Sequence, residues 1–512
     1  MLIMEPKGAI SMKKLLSLVL SCLLLLSCVS AASAAAEKAS VLPVVDLRGF
    51  MSSQIYADKD DPDSERLFPP EPAALIRFAT ALLPSITRFT FDNNWDVLGN
   101  QLIPALRKLL LPVSADENGD VRGNTGPLFT YPTKDEIAAN PDVEFVFDWR
   151  DDPFKSAAQL AALIDYITDD CGYGKVALEC HSYAGIVTLT YLAVYGTKKV
   201  TSVCFNATAV YGAVFAGELM QGKVNLNADG LAVFLEGLLD QTEYEGLLRG
   251  LVKVFDDLGG LNFLCSFVNE LFEHLSSRIW KEAVVPVFGS WLSIWDMVPD
   301  SEVEAGNAFI ASTGTTLSDT FRARIDKFDA EIRTKREPLL RGVDEKCSLY
   351  VIARYGYGGV PLGDTWTANS DGVLTTEAES FGATCQPFDY TSPTVIIAPL
   401  RAPSGAIDAS TCLFPQQTWF IRNCKHTEKD PVLREFSDTL LRADGQQNIH
   451  SFPRYPQFLV LEKALGGLIP DDGLVRSPRK WQDDLRMLLQ KMIEKINAAL
   501  LLPFVKGTAK AG

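Results

Sequence analysis

From Lys175 to Tyr195 an apolar segment of strand length runs into an apolar segment of helix length, and only a few residues are left to turn between them. The junction reads Lys175-Val176-Ala177-Leu178-Glu179-Cys180-His181-Ser182-Tyr183-Ala184-Gly185. An unbroken rather than alternating apolar strand is one buried on both faces, as in a parallel sheet. A strand that passes so quickly into a helix must bend sharply. Such a corner leaves a serine hydroxyl at the carboxyl edge of the sheet and holds the serine backbone under strain, so the residues two before and two after it must be small. Cys180 and Ala184 occupy those positions, and Gly185 gives the helix more room to approach the strand.

Other apolar runs fit the same architecture. Val41 to Leu47, Val143 to Phe147, Val200 to Phe205, Leu349 to Ala353, Thr394 to Ala398 and the shorter Trp419 to Ile421 read as strands. Helical spacing appears over Ser156 to Ile167 and Ile186 to Tyr195. Strand and helix in alternation predict an α/β fold with a mostly parallel central sheet and helices on both faces, and the serine corner makes the α/β-hydrolase fold the expected form of it. Two stretches break the rhythm. Residues 51–140 are too long for a simple connection, and residues 220–345 are helical in pattern nearly throughout. Long insertions beside a sheet often cap a site. The expected division is therefore a leader (1–36), a first core segment (37–219), a large helical cap or lid (220–345), a second core segment (346–430) and a helical extension (431–512) that includes an amphipathic helix over 481–502.

A serine hydroxyl needs a base, and the base needs an orienting carboxylate. In this fold the chain order is serine, acid, histidine. There are four histidines. His181 adjoins the serine on the corner and points elsewhere, and His274 lies in the cap. His426 follows the last strand-like run, where a base should hang over the serine, whereas His450 has no strand leading into it. His426 is favoured. The acid should follow an earlier strand, and the polar loop after Leu349 to Ala353 offers Asp364 and Asp371. Asp371, in Ser370-Asp371-Gly372-Val373, is favoured because its glycine permits a tight turn. Two backbone N–H groups should form the oxyanion hole: that of Tyr183, directly after the serine, and one from Arg48-Gly49-Phe50-Met51, most simply that of Phe50.

Taken in order, Arg48-Gly49-Phe50, Phe147-Asp148-Trp149-Arg150, His181-Ser182, Ser370-Asp371-Gly372-Val373, Thr418-Trp419 and His426 resemble the lecithin–cholesterol acyltransferase family. That family groups secreted and lysosomal lipid acyltransferases and phospholipases of the α/β-hydrolase fold. The resemblance spans roughly residues 41–430. It implies Ser182 as nucleophile, Asp371 as acid and His426 as base, with part of 220–345 lining an acyl pocket. The sequence departs from the family at Cys180 and Ala184, and at Arg48-Gly49-Phe50, where members often carry Pro-Gly.

Lys13 and Lys14 precede the apolar run Leu15 to Leu26, and small residues lead to Ala34-Ala35-Ala36. This is the pattern of a secretory signal, and the run is shorter than the roughly 20 residues of a membrane span. The expected location is secreted or cell-surface, with a lipid anchor at Cys28 as the lesser alternative. The net charge of −16, from 48 basic and 64 acidic residues, disfavours nucleic acid, since an acidic chain gains little by neutralising phosphates. Eight cysteines lie beyond the leader without a C-x-x-C pair, so neither zinc nor a redox pair is indicated. Cys180, Cys204 and Cys347 read as buried thiols, and Cys385, Cys412 and Cys424 have room for one bridge. No cofactor is implied.

Together these features predict a secreted serine hydrolase of carboxylic esters, with lipid esters favoured, whose cap touches a membrane surface or simply packs through the aromatic stretch Trp280 to Trp295. The competing expectations are a non-catalytic binding protein on a hydrolase scaffold and a serine peptidase of the same fold.

Overall fold

The computed structural model describes residues 41–239, 256–388 apart from 258, 400–462 apart from 444 and 446, and 467–474. The leader, the helix expected over 481–502 and the run 394–398 lie outside the described residues. The central sheet has eight strands: β1 Val44–Leu47, β2 Val143–Phe145, β3 Val176–Ser182, β4 Val200–Thr208, β5 Ser348–Tyr355, β6 Thr418–Arg422, β7 Phe458–Glu462 and β8 Gly467–Pro470. They lie side by side in the order β2-β1-β3-β4-β5-β6-β7-β8. All neighbours are parallel except β8, which runs antiparallel to β7. The chain is thus α/β with a mostly parallel sheet. β7 and β8 come from the segment expected to be a helical extension, which contributes to the sheet itself.

Both faces of the sheet are covered, and alternate residues of a strand enter different cores. In β5, Leu349 and Val351 join one cluster while Tyr350 and Ile352 join another; in β4, Val203 and Phe205 part from Cys204 in the same way. The first cluster holds the apolar faces of α3 Pro153–Asp165 and α4 Ala184–Tyr195, which follow α1 Pro72–Asp92 and α2 Trp95–Leu110 in the chain. The second cluster holds Leu433, Phe436, Leu440 and Leu441 of helix Pro431–Leu441. This double burial is why the strands read as continuous apolar runs.

The two long excursions meet each other. Leu98 and Ile103 of α2 pack with Leu271, Leu275 and Ile279 of α5 Gly260–Ile279. Within 220–345, every described regular element is helical. Trp280, Trp291 and Trp295 are all buried, so that aromatic stretch packs inward. The indole N–H of Trp291 donates to the Val113 carbonyl at 2.9 Å and that of Trp295 to the Gly289 carbonyl at 3.1 Å. Among the described residues, no helix is long and apolar enough to cross a membrane.

In the strand order, β1 has β2 on one side and β3 on the other. The chain leaves β1 for β2 on one side and then crosses back to β3 on the other, and such a reversal opens a crevice beyond the carboxyl ends of the strands. Ser182 ends β3, and Gly49 and Phe50 follow β1.

Candidate active site

Ser182 is the last residue of β3, and Ala184 opens α4. Its φ of +60° lies in the left-handed region, which a non-glycine residue occupies at a cost of about 1–3 kcal/mol. Packing holds it there. A β-carbon built on Gly185 would stand 2.5 Å from Thr208 Cβ, so only glycine lets the helix lie this close to β4. A β-carbon on Gly49 would stand 2.4 Å from Ser182 Cβ and 2.8 Å from its Oγ. The loop after β1 therefore passes directly against the serine side chain.

Of the two aspartates weighed in the sequence, Asp371 is the one that meets His426. His426 Nδ1 and Asp371 Oδ2 are 2.5 Å apart, and the His426 N–H donates to the Asp371 carbonyl at 2.8 Å. The other carboxylate oxygen, Oδ1, accepts from the Val373 and Leu374 N–H groups at 2.9 and 2.8 Å, in the turn that the neighbouring glycine permits. Asp371 is 1% exposed and His426 9%. Burial alone would raise the Asp371 carboxyl, but the His426 imidazole and the hydrogen bonds it receives outweigh that and hold it down at about 2. It is a carboxylate at neutral pH.

The imidazole of His426 lies with its ring centre 4.5 Å from that of His181, the residue before Ser182. Burial, then the nearby His426 and Arg354, push His181 well below the usual imidazole range, so it is neutral. His274 stacks on Trp95 at 4.9 Å, and His450 is exposed on a short 3₁₀ turn; neither joins this group.

A buried polar chain fixes the loop that carries His426. Arg354, in β5, donates to the carbonyls of Lys425 and His426 at 2.6 and 3.0 Å and to Asn206 Oδ1 at 3.0 Å. Asn206 Nδ2 donates to Glu179 at 3.1 Å, and Arg434 joins Glu179 to Asp46, each at 3.1 Å. A buried guanidinium is tolerable only when its donors are used this way. Sequence reading passed over Arg354, although an arginine within eight consecutive buried residues of β5 is a visible signal.

The two proposed oxyanion donors sit on rigid supports. Tyr183 stands at the amino end of α4, where the first backbone N–H groups of a helix have no partner within it. Its phenol donates to Asp296 at 2.9 Å, and both groups are buried. Burial pushes the Asp296 carboxyl well above the carboxylate range, against the opposing pull of the Tyr183 hydrogen bond and the Arg333 charge. The Phe50 ring packs edge-on against Trp149 at 5.0 Å and Trp291 at 5.9 Å. The Asp148-Trp149-Arg150 triplet thus has a mechanical task. Trp149 donates to the Ser53 carbonyl at 3.0 Å, and Arg150 makes two bonds to Asp148 at 2.9 and 2.6 Å.

Among the described residues, one group of ligating side chains is compact enough to hold a cation: Asp371, Glu379 and His426, within 4.8 Å of one another. His426 Nδ1 and both Asp371 oxygens are already engaged in hydrogen bonds, which suits an acid–base relay rather than an ion site. Among the described residues, the eight cysteines form no disulfide, Cys385, Cys412 and Cys424 included.

No protein-family model matches the chain, and no curated protein does. Seven chains of solved structures match. One belongs to the crystal structure of the Tle4-Tli4 complex, 14% identical over 35% of this chain and 48% of that chain, with a TM-score of 0.18. The match spans about half the length of that chain.

Proposed function

We propose that this protein is a serine hydrolase of carboxylic esters, built on an α/β-hydrolase scaffold and secreted or held at the cell surface, with lipid-like esters as its substrates. The observation that supports this reading is the buried His426–Asp371 pair, whose imidazole lies 4.5 Å from that of His181, the residue directly before a serine in left-handed conformation. The strained corner, the neutral imidazole neighbour and the glycine loop pressed against the serine have no evident role in packing alone.

In this reading Ser182 Oγ attacks the acyl carbonyl. Because Nδ1 of His426 is given to Asp371, Nε2 is the nitrogen that takes the serine proton. The Asp371 carboxylate stabilises the imidazolium that forms. Negative charge developing on the acyl oxygen falls on the N–H groups of Phe50 and Tyr183. His426 then protonates the departing alcohol, and water enters to release the acid from the acyl-enzyme. No cofactor takes part. The preference for lipid-like esters rests on the resemblance of the motifs to lecithin–cholesterol acyltransferases and on apolar surface: Phe263 and Leu264 of α5 and Phe91 of α1 are exposed. Membrane contact through the cap would fall on Phe263 and Leu264 rather than on the buried tryptophans.

A fluorophosphonate probe tests the assignment. The purified protein should label, and Ser182→Ala should not; labelling that survives this substitution refutes it. Initial rates on p-nitrophenyl esters of increasing acyl length then test the substrate class, since a sharp optimum at two carbons excludes lipid-like esters.

A further inference from the structure

Glu379, the last residue of the short helix Thr376–Glu379, is wholly buried. Its Oε2 accepts the Arg354 N–H at 2.6 Å. No protein donor reaches its Oε1, yet that side chain offers an oxygen within 4.8 Å of the ligating atoms of Asp371 and His426. Two ionised carboxylates cannot hydrogen-bond to each other, because each is an acceptor only. The orphan oxygen and the contact are reconciled by one proton. Asp371 is the partner that stays ionised, since it already accepts two backbone N–H groups and faces the imidazole.

We infer that Glu379 is a positioning residue for the Asp371–His426 pair: a neutral carboxylic acid whose Oε1–H is donated to the Asp371 carboxylate. Burial, then the charge of Asp371, push the Glu379 carboxyl well above the usual range, in agreement with the hydrogen-bond count. His426, Arg354 and Cys385 act on this pair directly, while His181 lies beside His426 and Arg354, and Glu179 and Cys424 beside Arg354. Arg354 is the cation among them, and both of its terminal nitrogens are bound to backbone carbonyls and Asn206. The arrangement gives Asp371 a third kind of donor without adding a second negative charge beside the imidazole. It fixes the carboxylate plane that orients His426, and it limits how strongly Asp371 attracts the imidazole proton.

The link to catalysis rests on the proposed hydrolase function, so two readouts are needed. Infrared difference spectra of the whole protein at pH 7, with ¹³C-labelled glutamate, read protonation without any activity. The carbonyl band of a neutral carboxylic acid should be present in the wild type and missing from Glu379→Gln; its absence from the wild type overturns the inference. The second readout is the pH dependence of fluorophosphonate labelling. Glu379→Leu, which removes the donor, should slow labelling by about tenfold and move the acid limb upward, because Asp371 becomes more basic. Glu379→Gln keeps a neutral donor and should restore both, leaving the limb within about 0.3 pH units of wild type. If Glu379 were ionised, Gln would remove a charge close to the imidazole and lower the limb by about one pH unit or more, which refutes the inference. Should the band be present and the probe never label, the carboxyl–carboxylate pair stands and the hydrolase reading falls.

Discussion

Replacing Gly49 with alanine should disable the serine while leaving the fold in place. The added methyl would stand 2.4 Å from Ser182 Cβ, and 2.8 Å from both Ser182 Oγ and the His181 carbonyl oxygen, whereas ordinary contact begins near 3.4 Å. The loop after β1 and the serine must therefore separate by about 1 Å. Neither side has an easy retreat: Ser182 is held by the approach of α4 to β4 at Gly185, and Phe50 is wedged between Trp149 and Trp291. Overpacking of this kind costs about 1–3 kcal/mol, a fraction of the stability of a large domain. A displacement of about 1 Å at reacting atoms, however, is worth roughly 100-fold in rate. The assay is the second-order rate of fluorophosphonate labelling, measured beside circular dichroism and a thermal melt. Gly342→Ala is the control, because a β-carbon there meets nothing within 4 Å. Labelling of Gly49→Ala within twofold of wild type, with Ser182→Ala silent, would refute the argument that this loop is pressed against the nucleophile and supplies an oxyanion donor.

Trp291→Ala should cost about 3–5 kcal/mol in denaturant unfolding, from loss of a buried indole. It should also slow labelling, because the Phe50 ring loses one of its two aromatic walls; an unchanged unfolding midpoint would contradict the packing. Asp46 bears on pH dependence. Burial first, then the charge of Glu179, raise its carboxyl from 3.8 to about 6 despite Arg48 and Arg434. A raised carboxyl favours the fold while protonated, so this contribution is whole below about pH 4 and is lost as pH climbs through about 6, by up to about 3 kcal/mol. Asp46→Asn should therefore flatten the fall in stability across that window in urea titrations, and an unaltered slope would mean that Arg434 fully satisfies the Asp46 charge.

What the sequence disclosed and what it hid divide along one line: whether a constraint acts along the chain or across it. The corner at Ser182 is legible because a strand buried on both faces, a single turn residue and a buried helix all lie within Lys175 to Tyr195. Asp371 and His426 are legible as residues because each follows a strand-like run, although their meeting across 55 positions is a fact of strand order alone. β7 and β8 escaped notice because Phe458–Glu462 and Gly467–Pro470 are short and lie among Pro453, Pro456 and Pro470. The aromatic stretch Trp280 to Trp295 is ambiguous in sequence because lipid and a protein core accept the same side chains; only the approach of Phe50, Trp149 and Val113 decides it.

Glu379 and Asn206 were invisible for a further reason. A polar residue in a loop, or just past an apolar run of strand length, reads as solvated until its neighbours are known. Asn206 gains its meaning from lying between β3 and β5, where it joins Glu179 to Arg354. Glu379 gains its meaning from arriving between the Arg354 N–H and the Asp371 carboxylate. Arg354 comes closest to being legible, because it directly follows the apolar run Leu349 to Ala353. It is the one charged residue in β5, whose eight residues are all buried, and burying a guanidinium requires acceptors on several sides. Those acceptors prove to be the carbonyls of Lys425 and His426 and the amide of Asn206. A charge inside an apolar strand therefore points to the position of the loop that bears the base, before any contact of the base itself is known.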